Sequence, residues 1–263
     1  MKKTLIALMA LPCVAVADIK DGVQWAESFG DGYSQDATFG FKNAFHKENG
    51  VGVAGGDYAN SRVYSTTLGG KFSNAFTLSF ELVDLDAGNW TDAVSLYTNG
   101  VVEGTNHSIQ VQKNASGDLM VYTENFSGSN VAGDDSNINL GSLSSLEGKT
   151  LTLVFDATGA TNTLTAYVNG VAYTDTVTFT YAEGTTPSTA LTGFQFGAAF
   201  GGQRASTSVT VDDIVLWNRA LTAEEVASLP ITTTVPPTET VPEPATATLS
   251  LLALAGLAAR RRR

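Results

Sequence analysis

Carboxylates near Leu85 are the first residues whose spacing suggests chemistry. Glu81 and Asp84 lie in a stretch, TLSFELVDL, that alternates like a β-strand, and Asp86 directly follows it. A glycosidase needs two carboxyl groups facing one cleft, one as acid and one as nucleophile or base. Successive side chains of a regular strand point to opposite faces, so Glu81 and Asp84 would be separated and Asp84 and Asp86 would share a face. The spacing therefore disfavours a glycosidase, and the alternative is a strand that ends in an acidic loop.

Other catalytic arrangements are missing from the sequence. Gly148-Lys149-Thr150 ends like a phosphate-binding loop, but Leu143 replaces the required glycine and a strand follows in place of a helix. His46 and His107 lie in unrelated stretches without a G-x-S-x-G sequence, so neither a serine triad nor a zinc site is indicated. The only cysteine, Cys13, lies in a segment that we expect to be removed.

Two aromatic residues beside amides have the composition of a carbohydrate site. Trp90 follows Asn89 shortly after the strand that includes Leu85, and Phe126 follows Asn125 after a predicted hairpin. An exposed ring stacks on the face of a sugar, while amides bind its hydroxyls. An aromatic beside a strand end often packs in the core instead, so these four residues are candidates with that alternative left open.

The charge of the chain restricts its partners. The sequence has 15 basic and 26 acidic residues, a net charge of −11. Six of the basic residues lie in the terminal segments 1–17 and 260–263, so residues 18–259 carry nine basic residues against 26 acids, a net charge of −17. Such a surface repels nucleic acid and anionic lipid. It keeps an exported protein soluble, and it also attracts Ca²⁺.

The first residues have the features of a secretory signal peptide. Lys2 and Lys3 form a basic start, the run from Leu5 to Ala10 is apolar, and Ala15-Val16-Ala17 is an A-x-A cleavage site. We therefore expect residues 1–17 to be removed before Asp18 and the remaining chain to be exported.

The C-terminal end is a tether followed by an apolar segment. Residues 231–241 are rich in Thr and Pro and form a linker that buries nothing. Pro242, Glu243 and Pro244 come next, and residues 245–259 are apolar. As a helix this run would reach about 22 Å, short of a comfortable membrane span unless flanking residues extend it. The sequence closes with Arg260, Arg261, Arg262 and Arg263. The positive-inside rule keeps such a cluster cytoplasmic.

Between these ends, residues 18–230 predict one all-β domain. The stretch from Leu151 to Asp175 contains alternating strands and Asn169-Gly170, a strong hairpin signal because both turn positions need positive φ. Another hairpin turn is predicted at 114–118, whereas 125–145 is predicted to be loop. Short strands at regular spacing indicate an antiparallel β-sandwich and not βαβ units.

A short helix is predicted to close this domain. Thr222 can cap its N-terminus, with Glu225 as the reciprocal partner of a capping box. Leu221 before the cap and Val226 after it form a hydrophobic staple, and Pro230 ends the helix.

Three passages of the domain resemble a known family. TLTLVFD and LTAYVNGV within 150–171, LTGFQFGAAFGG at 191–202 and VDDIVLWNRALTAEEVASL at 211–229 are similar to LamG-like domains of the concanavalin A-like lectin/glucanase superfamily. The resemblance implies a jelly-roll sandwich of two antiparallel sheets. Glucanases of that superfamily carry E-x-D-x-x-E on one strand, and the pattern E-x-x-D-x-D that starts at Glu81 departs from it.

The same resemblance implies a structural Ca²⁺ as the one expected cofactor. Members of the superfamily often hold this ion with carboxylates and backbone carbonyls, and Asp212 occupies the aspartate position of the closing signature. The alternative role for Asp212 is a hydrogen bond that orients the final turn. Asp31 and the pair Asp134-Asp135 are further candidate ligands because they lie in acidic loops.

The tail, residues 242–263, resembles the PEP-CTERM sorting signal, in which a Pro-Glu-Pro triplet precedes an apolar helix and an arginine cluster. This resemblance implies export in a Gram-negative-type cell, transient anchoring by a transmembrane helix at about 245–259, and processing by an exosortase near the triplet. The destination would be the cell surface or an extracellular matrix. A permanent weak anchor is the alternative.

These features favour a protein that binds and does not catalyse. The first hypothesis is carbohydrate or protein binding through rim loops of the sandwich. The second is a structural or adhesive matrix component without a small ligand, and the third is a divergent glycosidase.

Overall fold

The computed structural model describes most of the predicted domain. It covers residues 18–30, 45–55, 63–65, 68, 72, 74–86, 88, 91–98, 108–124, 137–159, 162–173, 177–179, 191–197 and 208–229. The chain divides into two compact units, Met1–Thr233 and Thr234–Arg263, and every described residue belongs to the first.

The described residues form short strands with little helix. The strands are β1 (Val23–Glu27), β2 (His46–Glu48), β3 (Val51–Gly55), β4 (Val63–Ser65), β5 (Ala75–Asp86), β6 (Thr91–Thr98), β7 (Ser108–Lys113), β8 (Asp118–Glu124), β9 (Asn137–Ser142), β10 (Lys149–Asp156), β11 (Asn162–Val168), β12 (Val171–Ala172), β13 (Val177–Phe179), β14 (Leu191–Phe196) and β15 (Ser208–Trp217). A 3-10 helix spans Leu143–Ser145, and the α-helix α1 spans Ala223–Ala227.

The strands form two sheets in which all described neighbours are antiparallel. The nine-stranded sheet has the order β12-β11-β10-β5-β15-β3-β2, with β13 also paired to β11 and β1 to β15. The six-stranded sheet has the order β4-β14-β6-β7-β8-β9. The predicted all-β antiparallel sandwich with a short C-terminal helix is confirmed.

The two sheets enclose an apolar core because alternate residues of each strand face inward. Phe155 of β10 stacks on Phe76 of β5 with ring centroids 5.1 Å apart, and both side chains are fully buried. Trp25 of β1 stacks on Phe194 of β14 at 5.4 Å, which joins the two sheets. Removing one such ring costs about 3–5 kcal/mol, so these contacts hold the sheets in register.

A second apolar cluster lies on the other side of the nine-stranded sheet, against α1. Its members are Val154, Tyr167, Val215, Trp217, Leu221 and Val226. Thr222 Oγ1 accepts a hydrogen bond from Glu225 N, and the Glu225 carboxylate accepts one from Thr222 N. The predicted helix and its capping box are confirmed.

The predicted hairpin turn is also confirmed. Asn169 and Gly170 have φ angles of 49° and 77°, the left-handed values of a type I′ turn. The Asn169 amide oxygen accepts a hydrogen bond from Thr150 N. A Cβ on Gly170 would lie 3.2 Å from Ala227 Cα, so the turn packs closely against α1.

One predicted loop contains a strand. β9 (Asn137–Ser142) lies within 125–145, where the polar asparagines conceal a short alternation. Ile138 and Leu140 are buried in the core, and pairing with β8 stabilises the strand. Tertiary packing therefore overrides the weak local signal.

A bulge corrects the expected orientation of Asp84. Leu82 pairs with Val211 and Asp84 pairs with Thr210, so Val83 is an extra residue in β5. Leu82 and Leu85 consequently both face the core. The prediction that Glu81 and Asp84 point to opposite faces is wrong, because it assumed a regular strand.

The first described residues, Asp18 to Gly22, form a strap held by the closing turn. Trp217 Nε1 and Asn218 N each donate to a strap carbonyl at 2.8 Å. Arg219 donates to two more strap carbonyls at 2.7 and 3.2 Å, and to both carboxylate oxygens of Glu225 at 2.8 and 2.9 Å. The two bonds from Arg219 to the Glu225 carboxylate keep the pKa of Glu225 below its usual range despite burial.

Candidate functional site

The outer face of the six-stranded sheet is polar. Core residues of β7 alternate with Gln110 and Gln112, which therefore project from the opposite side. Strand register places Gln110 between Ser95 of β6 and Tyr122 of β8, and it places Gln195 of β14 beside Ser95. We call Gln195, Ser95, Gln110 and Tyr122 the polar row, since they cross four adjacent strands.

A buried carboxylate network lies next to the polar row. Asp92 of β6 is completely buried, and its Oδ1 accepts a hydrogen bond of 2.7 Å from Gln112 Nε2. Its Oδ2 accepts one of 3.0 Å from Ser95 Oγ. Gln112 Nε2 also donates to Gln110 Oε1 at 3.4 Å. Buried polar groups need such partners, and the network fixes the orientation of the amides.

Towards β9 the same face opens to solvent. Asp118, Met120 and Tyr122 of β8 are half-buried, and Asn139 of β9 is exposed. Asn139 Nδ2 donates to Asp118 Oδ2 at 3.1 Å, and Asn139 Oδ1 accepts from Gly141 N at 2.8 Å. We call Asp118, Met120, Tyr122 and Asn139 the open border. A flat ring beside an oriented amide and a carboxylate can bind the face and the hydroxyls of a sugar.

A carboxylate cluster lies on the outer face of the nine-stranded sheet. Strand pairing places Asp212 opposite Glu81, and the bulge that follows gives Asp213 a φ of 46°. One carboxylate oxygen from each of these three residues lies within 4.8 Å of the others. On the side of β15 away from β5, the residues before the cluster pair with β3 and those after it pair with β1.

Electrostatic repulsion marks this cluster. Burial raises the pKa of Glu81, and the charges of Asp212 and Asp213 raise it further. Burial also raises the pKa of Asp212, together with the charges of Asp213 and Glu27 and against a hydrogen bond from Asp213 N. Glu27 accepts a bond from Phe29 N through Oε1, while its buried Oε2 has no hydrogen-bond partner among the described residues. Hard carboxylate oxygens are the ligands that Ca²⁺ prefers, and the cation would offset the repulsion.

The structure brings one of the predicted calcium ligands into this cluster, together with Glu81. Asp212 lies there, and its Oδ1 also accepts the Asp213 N–H bond of 2.8 Å. Asp84 and Asp86 are exposed at the end of β5, and His46 lies in β2. The other candidates lie outside the described residues: Asp31, Asn89, Trp90, His107, Asn125, Phe126, Asp134, Asp135, Pro242, Glu243, Pro244, Arg260, Arg261, Arg262 and Arg263. Their roles stay predictions.

Sequence reasoning missed the polar row. Its local signal is the run SIQVQK of β7, in which amides alternate with aliphatic residues. Such a pattern predicts an ordinary solvent-facing side. Gln110 and Gln112 are instead only 4% and 3% exposed, and Asp92, the partner of Gln112, comes from another strand.

Two antiparallel sheets packed face to face, with a polar outer face on one of them, define a lectin-like β-sandwich. The chain belongs to the concanavalin A-like lectin/glucanases superfamily, whose family model matches residues 54–227. The PEP-CTERM protein-sorting motif matches residues 240–263, which implies an exported cell-surface protein. Both resemblances are therefore confirmed. Comparison with curated proteins gave no match.

Several solved structures are similar in fold. Trypanosoma rangeli sialidase has a TM-score of 0.53 and 16% identity over 79% of this chain and 32% of its own. The binding domain of Paraclostridial Mosquitocidal Protein 1 has a TM-score of 0.50 and 14% identity over 80% and 52%. The binding domain of Botulinum Neurotoxin DC, in complex with SialylT, has a TM-score of 0.50 and 12% identity over 80% and 51%. The chain spans 32% to 52% of these proteins, and the similarity shows the fold alone.

No helix within the described ranges is long and apolar enough to cross a membrane. The predicted transmembrane helix at about 245–259 lies outside those ranges.

Proposed function

We propose that this protein is exported to the cell surface or extracellular matrix and binds carbohydrate through the outer face of its six-stranded sheet. The observation that carries the proposal is the open border, where the Tyr122 ring lies on the same face as an oriented amide and a carboxylate. The buried amides of Gln110 and Gln112 lie beside that border and have fixed orientations. The similar structures, a sialidase and a binding domain in complex with SialylT, support a role in sugar recognition.

Two pairs of residues that flank β6 and β8 in sequence are proposed to extend the site. Asn89 and Trp90 directly precede β6, and Asn125 and Phe126 directly follow β8. Both pairs therefore adjoin strands of the six-stranded sheet, and their aromatic rings would add stacking surface to that of Tyr122.

A binding role is favoured over glycoside hydrolysis. Asp92 is completely buried and already accepts two hydrogen bonds, from Gln112 and Ser95. A glycosidase acid and its partner must both reach the substrate. Asp118 is the other carboxylate among the described side chains of this face, and it forms part of a hydrogen-bonded pair with Asn139.

A glycan array with the full-length protein tests the proposal. Tyr122→Ala removes the ring, and we expect about tenfold weaker binding, equivalent to about 1.4 kcal/mol. Tyr122→Phe keeps the ring and should retain most of the affinity. Asp84→Asn, on the outer face of the other sheet, is the matched control and should bind normally. If the wild-type protein bound no glycan, the alternative of a purely structural or adhesive matrix component would replace the proposal.

We also propose that the carboxylate cluster holds a structural Ca²⁺. The support is the convergence of Glu81, Asp212 and Asp213, whose mutual repulsion a divalent cation would offset. Thermal unfolding in Ca²⁺ and in chelator is the test, and Ca²⁺ should raise the midpoint of the wild-type protein. Asp212→Asn should abolish that increase, whereas Asp84→Asn should keep it. An identical midpoint with Ca²⁺ and with chelator would exclude the ion.

Processing by an exosortase is the proposed fate of the tail. The support is the match of residues 240–263 to the sorting motif. Replacing Pro242, Glu243 and Pro244 with alanine in the native host should leave an unprocessed precursor held in the membrane by residues 245–259. Mass spectrometry of the cell-surface form measures this, and an unchanged mature mass would contradict it.

A further inference from the structure

We propose that the open border selects neutral polysaccharides and rejects anionic ones. This inference rests on the proposed carbohydrate-binding function. Its starting point is the charge of the site, because the charged groups among the described side chains of the face are the carboxylates of Asp92 and Asp118. The nearest described cation in sequence, Lys113, is in register with core residue Leu119 and so belongs to the opposite side of the sheet.

The hydrogen-bonding groups match uncharged sugars. Vicinal hydroxyls of a neutral hexose can donate to the Asp118 carboxylate and accept from the Asn139 amide, which the Gly141 N–H holds in place. Tyr122 supplies the ring for the apolar face of the same sugar. Asp118, Asn139 and Tyr122 of the open border thus each have a partner on a neutral pyranose.

An anionic sugar lacks this match. A sugar carboxylate or sulfate only accepts hydrogen bonds, and strong recognition of such a group requires arginine or lysine. Here it would approach the carboxylate of Asp118, and the buried Asp92 adds a second negative charge to the same face. Repulsion between like charges in direct contact weakens the binding of an anionic sugar. The net charge of −17 on residues 18–259 adds a long-range repulsion.

Matched sugar pairs provide the test. The full-length protein, in a polyoxyethylene detergent that carries no sugar, is titrated with lactose and sialyllactose. The titration is repeated with methyl-esterified and free oligogalacturonate. We expect the neutral member of a pair to bind at least tenfold more tightly. Raising the salt concentration should narrow this ratio because it screens exposed charges.

Two variants test whether the discrimination between neutral and anionic sugars arises at the outer face of the six-stranded sheet. Asp118→Asn keeps the shape and a hydrogen-bonding group, so it should reduce the preference for the neutral member at least threefold. Asp84→Asn removes an equivalent exposed charge from the other sheet and should leave the ratio unchanged.

The possible failures are distinguishable. Equal or tighter binding of the anionic members would overturn the inference and leave the carbohydrate-binding function standing. If Asp118→Asn preferred neutral sugars as strongly as the wild-type protein does, the inference would also be overturned, since the selection would then arise outside the open border. Absence of binding to every sugar would overturn the inference and the proposed function together.

Discussion

Arg219 connects the strap to the closing turn, and its replacement by methionine measures how much that connection stabilises the domain. The side chain of Glu225 is 3% exposed and that of Arg219 is 25% exposed. Removing one member of a buried ion pair costs about 3–5 kcal/mol, because the other charge stays buried. Partial exposure and the remaining bond from Thr222 N favour the lower end, so we expect Arg219→Met to cost about 3 kcal/mol.

Urea unfolding followed by tryptophan fluorescence is the assay, since Trp217 lies in the apolar cluster under α1. Glu225→Gln should cost about 1 kcal/mol, because the amide oxygen still accepts the Thr222 N–H bond. The double variant should be more stable than the sum of the single losses predicts, by about 2 kcal/mol. Additive losses would show that the pair contributes no more than an exposed salt bridge.

The pH dependence gives an independent check. Because Arg219 lowers the pKa of Glu225, the contribution of the pair is fully present above the ordinary glutamate pKa and is lost as the pH falls through the lowered value. The cost of Arg219→Met should therefore shrink in acid. The destabilisation that remains in acid measures the bonds from Arg219 to the strap carbonyls, because those carbonyls do not titrate. A cost below about 1 kcal/mol at neutral pH, or one that does not change with pH, would refute this reasoning.

Two further substitutions test other parts of the fold. Gly52→Ala would make a Cβ overlap the Phe29 ring, so we expect a loss of about 2–3 kcal/mol in thermal or urea unfolding. Gly30→Ala, whose Cβ would have its nearest neighbour at 3.9 Å, is the control and should change stability by less than about 0.5 kcal/mol. Equal losses in the two variants would contradict the close contact between Gly52 and Phe29. Glu81→Gln should raise the unfolding midpoint in chelator. The raised pKa values of Glu81 and Asp212 make the wild-type protein gain stability as the pH falls through them, so the variant should show a flatter pH profile, and an unchanged profile would contradict the repulsion.

Local chemistry allowed much of this fold to be predicted. The Asn169-Gly170 turn needs positive φ at both positions, and the Thr222 capping box satisfies backbone groups within one helical turn. Both features depend on neighbouring residues alone. The closing signature around Asp212 likewise lies within one short passage, so its resemblance to the family could be recognised directly.

Features that depend on strand register could not be predicted. Whether Asp84 faces the core depends on the bulge at Val83, which exists because two residues of β5 oppose one of β15. The approach of Glu81 to Asp212 depends on the same pairing. The polar row is likewise assembled from four strands, and no single stretch reveals that Gln110 lies next to Tyr122.

Within the domain, the strap is synthesised well before the residues that bind it. β1 pairs with β15, near the opposite end of the domain, so Val23–Glu27 lacks its partner strand until Trp217 has been made. β15 also fills the place between β5 and β3, and before it arrives those strands present unpaired edges. Pairing between such distant segments is slow because a long loop must close. An export event that stops before Trp217 therefore leaves an open-edged sheet, and not a smaller domain.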